Sequence, residues 1–260
     1  MIGLIAGLML TTAPCAPPGG AAALLALDRR IVIVGETHGT VETPAAFGEI
    51  VCTTAATWPV LVVLEYPVQM QPTLDAFMAQ PDAGTARRLL LDYPHGPFRF
   101  HDGRGSEAMM ALLQRLREMA QAGADLKLLA GVPDSPRVPG FTQAHAELDR
   151  AQQWSAAARA APQRRMLVLV GSVHAEKTRR VGSALGLPAA AHFRPEETVS
   201  LSIARQGGQA WTCREECGVS SIPDVDSAQS SGVALTPTSD GAFDGVLSLG
   251  PATPSPPVSR

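Results

Sequence analysis

The sequence predicts an α/β fold: a single domain in which a mostly parallel central sheet is flanked by helices and accompanied by a C-terminal β-hairpin. Three apolar runs, residues 31–34, 60–64 and 166–170, have the length and composition of buried strands. Helical stretches separate these runs, and strands that alternate with helices are typical of parallel sheets. With 260 residues and 45% hydrophobic content, the chain is long enough to build one large core.

The first residues, 1–25, are predicted to be a leader that contains a signal segment. Residues 1–13 are apolar, although the basic start typical of an export signal is missing. Pro14, directly before Cys15, disfavours a lipoprotein signal. The apolar run is shorter than a membrane span requires, so no transmembrane domain is expected. We expect a periplasmic or secreted protein, with the cytoplasm as the alternative.

Residues 26–218 are assigned to the α/β domain, and its helices follow from apolar residues that recur every three or four positions. The predicted helices span residues 44–57, 106–123 and 143–161. Thr43 is the predicted N-cap of the first helix, with a proline at its first position, and Ser106 is the predicted N-cap of the second. In the third helix, Leu148 and Trp154 are expected to face inward.

Residues 72–97 are less regular. Two short helical pieces, residues 74–79 and 85–91, are broken by prolines and a glycine. Such an insertion is either a segment that covers the substrate or an ordinary long connection. Beyond it, Leu126–Val132 is predicted to be the third strand in chain order.

The later part of the chain is predicted to contain the hairpin. The sequence has two short stretches of strand-forming residues here, 198–203 and 209–212, and two glycines lie between them. This arrangement is typical of paired antiparallel strands. Residues 219–260 form a tail rich in Ser and Pro, with room for one last edge strand at residues 243–249. Disorder is expected beyond Pro251.

The four cysteines do not form a recognisable metal motif. Cys213 and Cys217 are too isolated for a zinc site, which would need two further ligands nearby. They form either a local disulfide, as suits an exported chain, or two free thiols. Cys52 lies in the first predicted helix and is expected to be a small core residue.

Chemically reactive side chains follow three of the predicted strands where each strand ends. Glu36 and His38 stand in the G-x-x-H turn after the first strand, His174 ends a second G-x-x-H turn, and Glu65 follows residues 60–64. In an open α/β sheet, ligands bind at the carboxyl ends of the strands. These four side chains are therefore the candidate site.

Two chemistries suit these residues, and the sequence does not separate them. His38, His174 and Glu65 have the composition of a zinc, manganese or iron site, where bound water would become a nucleophile. Without a metal, His38 or His174 would act as general base on water, oriented by Glu36 or Glu65. Glu65 is costly to bury at the end of an apolar strand without a partner.

Asp102 and Arg104 lie in a glycine-rich turn before the second predicted helix. In one interpretation they belong to the site, where Arg104 would stabilise an oxyanion and Asp102 would add a supporting hydrogen bond. In the other they simply pair with each other in the turn.

Two G-x-x-H motifs, with Glu65 between them, resemble the superfamily that comprises Tiki/TraB, ChaN-like and erythromycin-esterase-like proteins. Four segments of this chain are similar to a ChaN-like bacterial branch of that superfamily: VGETHGTVETPAAFGEIVC, DGRGSEAMMALL, LVLVGSVHA and WTC. The resemblance covers roughly residues 31–217 and is more specific for the fold than for the activity.

The resemblance implies three different functions. The Tiki branch implies metal-dependent proteolysis, with His38, Glu65 and His174 around the metal. The erythromycin-esterase branch implies ester hydrolysis without metal, with His38 as general base. The ChaN branch implies haem binding in iron uptake. This chain departs from the ChaN branch, because its lipoprotein signal is poor and only Tyr66 and Tyr93 could serve as tyrosine axial ligands. Its aromatic content of 5% is also low for a haem pocket.

The function predicted is therefore hydrolysis of an ester or amide bond in a small-molecule or peptide substrate. The alternative is a haem- or metal-binding envelope protein. The formal net charge is −3, from 21 basic and 24 acidic residues without a basic run, so a nucleic-acid partner is not expected. The sequence specifies neither the substrate nor the oligomeric state.

Overall fold

The computed structural model describes residues 14–134, 138–180, 182–213 and 215–259. Its strands are β1 (Ile31–Glu36), β2 (Val60–Pro67), β3 (Leu126–Val132), β4 (Arg165–Gly171), β5 (Thr198–Ile203), β6 (Gln209–Cys213), β7 (Cys217–Ser221), β8 (Gly232–Ala234) and β9 (Gly245–Ser248). Its helices are α1 (Ala21–Ala26), α2 (Glu42–Ala55), α3 (Gln71–Ala79), α4 (Ala83–Asp92), α5 (Glu107–Gln121), α6 (Gln143–Ala160) and α7 (Ser172–Ala175). The apolar start of the predicted leader, residues 1–13, lies outside the described residues.

Seven strands form the central sheet, in the order β3-β2-β4-β1-β5-β9-β8. Every neighbouring pair is parallel except β8 and β9, which are antiparallel. In this register Ile31 of β1 lies opposite both Met166 of β4 and Thr198 of β5. The mostly parallel sheet is therefore confirmed, and the carboxyl ends of β1, β2 and β4 meet at one edge.

Both faces of the sheet are covered, which explains why its strands are continuously apolar in sequence. Val32 and Val34 belong to a core cluster that also contains side chains of α2 and α5. Ile31 and Ile33 belong to a second cluster, with Trp154 of α6. Because successive side chains of a strand point to opposite faces, β1 contributes to both.

A C-terminal hairpin is present, but its pairing differs from the prediction. The predicted first arm is β5, which pairs in parallel with β1 and β9 in the central sheet. The hairpin consists of β6 and β7. Residues 198–201 of β5 are all buried, and a strand buried in this way needs cover on both faces, which the central sheet supplies. The predicted edge strand is β9, yet it lies inside the sheet and β8 is the edge.

The C-terminal segment, residues 251–259, packs against the domain, so the expected disorder is wrong. The backbone N–H of Ser255 donates to the carbonyl of Gly39 at 2.8 Å. The N–H of Val258 donates to the carbonyl of Gly105 at 3.1 Å. Backbone hydrogen bonds of this kind compensate the entropy of ordering a segment rich in Ser and Pro, which composition alone does not indicate.

The predicted helices are found close to their expected bounds. Helix α2 begins at Glu42, one residue before the predicted N-cap Thr43. Ser106 is the N-cap of α5, as predicted. In α6, Trp154 is buried as expected, whereas Leu148 is 40% exposed, so the inward orientation of Leu148 was wrong. The two predicted helical pieces, residues 74–79 and 85–91, are found as α3 and α4, which begin earlier, at Gln71 and Ala83.

All four cysteines are in disulfides, Cys15–Cys52 and Cys213–Cys217. Cys52 is a buried core residue, as predicted, and it is also bonded to Cys15, which the sequence did not indicate; this disulfide links the N-terminal segment to α2. Cys213 and Cys217 form the local disulfide, which was one of the two alternatives left open by the sequence. Within the described ranges, no helix combines the length and apolar character that crossing a membrane requires.

Candidate active site

The loop after β1 places Glu36 and His38 at the carboxyl edge of the sheet. Glu36 is the last residue of β1 and is buried, and its Oε1 lies 2.9 Å from Nδ1 of His38. Gly39 follows with a φ of 78°, and a Cβ there would lie 2.0 Å from the carbonyl oxygen of Trp211. Glycine is therefore required at this turn. Because Glu36 holds Nδ1 of His38, the Nε2 atom remains for other contacts.

Glu65 is the centre of the cluster, and its side chain is only 8% exposed. Its Oε2 accepts a hydrogen bond from the Gly171 N–H at 2.8 Å and lies 3.4 Å from Nε2 of His38. Its Oε1 lies 3.3 Å from Nη1 of Arg104 and 3.9 Å from Nε2 of His174. Burial opposes its negative charge, but the two histidines and the Gly171 N–H outweigh burial and hold the pKa of Glu65 well below its usual range.

His174 lies in α7, which continues directly from β4. Its Nδ1 lies 2.7 Å from Oε1 of Glu147 and 2.8 Å from Nη1 of Arg150. Glu147 and Arg150 are buried on α6 and form an ion pair with each other. Burial would raise the pKa of Glu147, but the contacts with His174 and Arg150 outweigh it and lower that pKa. With Nδ1 held in this way, Nε2 of His174 is the ring nitrogen nearer Glu65.

His38 carries a positive charge at neutral pH. Burial disfavours that charge, but the carboxylates of Glu36 and Glu65 on either side of the ring outweigh burial and raise the pKa of His38 to about 10. Both ring nitrogens are then hydrogen-bond donors, and neither can accept a proton from water. The side chain is 27% exposed, so it is accessible to a bound molecule.

Asp102 and Arg104 pair with each other and also reach the cluster. Nη2 of Arg104 donates to Oδ2 of Asp102 at 2.6 Å, while Nη1 lies 3.3 Å from Glu65 Oε1. At Gly103, between them, a Cβ would lie 2.3 Å from the backbone nitrogen of Gly39, so the two loops touch. The pairing of the second interpretation is therefore observed, and both side chains also lie at the cluster, while the roles that the first interpretation gives them stay a prediction.

All six site residues predicted from the sequence line one open cleft of about 490 Å³, namely Glu36, His38, Glu65, Asp102, Arg104 and His174. They come from three strand ends and one loop that are distant in the chain. Their proximity makes them a candidate site, and their catalytic roles stay a prediction.

Two further parts of this site were missed. Glu147 and Arg150 lie on the same face of α6 as Trp154, and two charged residues at helical spacing with a buried tryptophan were the available signal. The hairpin forms the opposite wall of the cleft: Trp211 lines it, and its Nε1 donates to the carbonyl of His101 at 2.9 Å. No local pattern indicates that wall, because it depends on where the hairpin docks.

The predicted metal set does not fit a metal ion. Within the described ranges, no group of three or more His, Cys, Asp or Glu side chains is arranged to hold one. Both oxygens of Glu65 already face donors, Arg104 on one side and Gly171 on the other. Arg104 also adds a positive charge that a cation would have to displace.

The cleft does not suit haem either. Tyr66 is fully buried and its hydroxyl donates to the carbonyl of Arg104 at 3.3 Å, so it is not available as an axial ligand. Tyr93 is not among the described residues that line the cleft. The six ionisable side chains of the candidate site all line this cleft, whereas haem needs a largely apolar pocket.

Comparison with known proteins places the fold. No family model matches the chain, and no curated protein matches it. A mutant of the erythromycin esterase EreC in its open conformation shares the fold with a TM-score of 0.62 at 12% identity, over 89% of this chain and 92% of that one. A Bacillus cereus protein matches with a TM-score of 0.63 at 13% identity, over 92% of each chain. The chain therefore has the erythromycin-esterase-like fold that the resemblance implied.

At these identities the likeness concerns the fold alone. A haem-bound ChaN of Campylobacter jejuni is also similar, but its TM-score is 0.39 at 10% identity over 87% of this chain and 89% of that one. A similarity this weak says nothing about haem binding by this chain.

Proposed function

We propose that this protein is a hydrolase of ester or amide bonds that activates water without a metal. One observation carries the proposal: Glu65 lies between two histidines, and the Nδ1 atom of each histidine is held by a further carboxylate. Carboxylate–histidine pairs in an open cleft are typical of acid–base catalysis. The esterase named among the proteins that share this fold supports the same reaction class.

The proposal gives the two histidines different roles. His38 is already protonated at neutral pH and therefore acts as a donor, in contrast to the role as base that the resemblance implied. We assign His174 as the general base: its Nδ1 lies between Glu147 at 2.7 Å and Arg150 at 2.8 Å, and the tautomer that donates to Glu147 leaves a lone pair on Nε2. Arg150, which is bonded to Glu147, keeps that carboxylate charged.

In the reaction, the oxygen of a water molecule attacks the substrate carbonyl carbon while one water proton passes to Nε2 of His174. The new tetrahedral oxyanion is stabilised by the positive charges of His38 and Arg104. The contact between His38 Nε2 and Glu65 is 3.4 Å, which is long for a hydrogen bond, so that proton is available to a substrate oxygen. Collapse of the intermediate breaks the bond to the alcohol or amine, which takes the proton back from His174.

The two disulfides support an exported protein. Disulfides persist in the periplasm and outside the cell but are rare in the cytosol. We therefore place the proposed hydrolase in the periplasm or the extracellular medium, acting on a small molecule or a peptide.

The test is hydrolysis by protein dialysed against a chelator, with p-nitrophenyl butyrate as ester and a peptide p-nitroanilide as amide. His174→Asn keeps an amide near the Nδ1 position but removes the base, so we expect kcat to fall about 100- to 10,000-fold. His95→Asn, an exposed histidine outside the cleft, is the matched control and should retain full activity.

Circular dichroism should show both variants folded. Unchanged turnover in folded His174→Asn would overturn the mechanism. Activity that disappears on chelation and returns with a divalent metal would overturn its independence of metal.

A further inference from the structure

A second cleft adjoins the candidate active site. It lies beyond the carboxyl ends of β1, β5 and β9 and has a volume of about 920 Å³. Thr37 and Ser172 line both clefts, so the two join at the turns that carry His38 and His174. A substrate whose scissile bond lies at the histidines can extend into this second space.

The acidic side chains of the second cleft already have partners. Both oxygens of Glu176, which is buried, accept hydrogen bonds from Arg180. Asp240 accepts from the Thr238 hydroxyl at 2.7 Å and from the backbone N–H of Ala242 at 3.0 Å. These contacts leave the carboxylates less able to bind a ligand.

The third acid of this cleft, Asp226, is held in the same way. Its Oδ2 accepts a hydrogen bond from the backbone N–H of Arg205 at 2.8 Å. That bond uses the main chain of Arg205 and leaves its guanidinium group uncommitted.

Two arginines of the same cleft are not paired. Arg179 and Arg205 line the cleft and are exposed, and among the described residues neither guanidinium has an ion pair or hydrogen-bond partner. Arg180, the residue next to Arg179, is the contrast, since Glu176 neutralises it. A free guanidinium presents a planar fork of donors that matches a carboxylate or phosphate group. Hydroxyl groups of Ser202 and Ser239 add neutral donors to the lining.

We infer that the second cleft is a substrate subsite that binds an anionic group, a carboxylate or a phosphate, through Arg179 and Arg205. This inference rests on the proposed function and narrows it: the substrate is an ester or amide with a negative charge at a distance from the scissile bond. The neutral Glu176–Arg180 pair shapes the wall of the subsite, and the two unpaired arginines select the charge.

The kinetic test uses p-nitrophenyl monoesters of linear dicarboxylic acids of increasing length, each compared with its neutral methyl-capped counterpart. We expect kcat/KM to favour the anionic ester about 10- to 100-fold at one chain length, the gain typical of hydrogen bonds to a charged group. In the double variant Arg179→Gln, Arg205→Gln the ratio should fall to about one. Arg159→Gln, an exposed arginine outside both clefts, should keep the wild-type ratio.

A binding test separates failure of the subsite from failure of the proposed function. Calorimetry on the His174→Asn protein measures binding of the free dicarboxylate and of phenyl phosphate, and their relative affinities identify the anion preferred. When Arg179→Gln and Arg205→Gln are added to the His174→Asn protein, both affinities should fall at least tenfold. If neither anion binds, or if binding and the ester ratio survive loss of both arginines, the subsite is wrong whether or not the protein hydrolyses esters.

Discussion

At the scale of single residues, the charge on His38 leads to a defined pH dependence. Glu36 and Glu65 raise the pKa of His38 to about 10, so the protonated form, which stabilises the oxyanion in the proposed mechanism, predominates below that pH. We expect kcat/KM to fall about tenfold per pH unit above about pH 10, because this parameter reports ionisations of the free enzyme. An alkyl ester or anilide, whose spontaneous hydrolysis is slow, is the suitable substrate.

The alkaline decrease should disappear in His38→Gln, because the glutamine amide donates a hydrogen bond at any pH. The overall rate of this variant should be lower than that of the wild type, because the amide is uncharged. A rate that instead rises toward pH 10 would show that deprotonated His38 is the base and would reverse the roles of the two histidines. Unfolding monitored in parallel by circular dichroism distinguishes titration of the site from alkaline loss of the fold.

Residues that end strands, and Asp102 and Arg104 in the glycine-rich turn, could be identified from the sequence. Residues that reach the site from α6 and from the hairpin could not. His38, Glu65 and His174 each follow an apolar run, and parallel strands bring such positions to one edge. Glu147 lies inside a helix whose composition is that of a surface helix, and its role depends on which face of α6 packs against β3. That orientation is decided by tertiary packing, about which a local sequence pattern contains little information.

At the scale of elements, the C-terminal segment holds together the two loops that carry His38 and Arg104. The Ser255 N–H donates to the Gly39 carbonyl, which also accepts from the N–H of Trp211 at 2.9 Å. The hydroxyl oxygen of Ser255 accepts from the Ala108 N–H at 2.9 Å, at the first turn of α5. The segment thus satisfies backbone groups that a helix start leaves unpaired.

A chain that ends at Gly250 should lose most of its activity. Without residues 251–260 the two loops lose shared partners, and a displacement of about 1 Å at the site costs about 100-fold in rate. A chain that ends at Val258 keeps the contacts of Ser255 and is the matched control. Both are compared by kcat/KM and by thermal unfolding. Full activity in the shorter chain would show that the loops hold their positions without the segment.

The elements themselves were largely predictable, whereas the pairing of the later strands was not. The apolar strands and the amphipathic α5 follow from periodicity and caps. The error concerned β5, which was assigned to a hairpin because two glycines and a short strand follow it. Strand partners are chosen by burial on both faces, and β5 fits beside β1 because its buried residues match the cores on either side.

At the scale of the whole molecule, the sheet order explains how the clefts arise. Strand β1 lies at the centre of the sheet, between β4 and β5. Connections leave β1 and β4 on the side of His38 and His174, and the hairpin and the loop 101–105 close that side into the cleft of the candidate active site. On the other side, beyond β5 and β9, the edge stays open and forms the arginine-lined cleft. One edge of the sheet therefore carries both the site of the proposed reaction and the proposed anion subsite.

The disulfides act on the stability of the whole molecule to unequal extents. Cys15–Cys52 links residues 37 apart in sequence, and Cys213–Cys217 links residues 4 apart. Restriction of the unfolded chain predicts stabilisation of about 4 kcal/mol for the longer loop and about 2 kcal/mol for the shorter. The longer one also ties the N-terminal segment to α2, beside the core.

We therefore expect Cys15→Ser, Cys52→Ser to lower the free energy of unfolding by about 2 kcal/mol more than Cys213→Ser, Cys217→Ser does. Urea unfolding at pH 7 measures this, and the wild type under dithiothreitol should approach the stability of a variant that lacks both disulfides. An equal loss in the two double variants would contradict the loop-length argument. A large loss on reduction would mean that the fold is maintained by an oxidising compartment, which agrees with the proposed export, whereas indifference to reduction would remove that support.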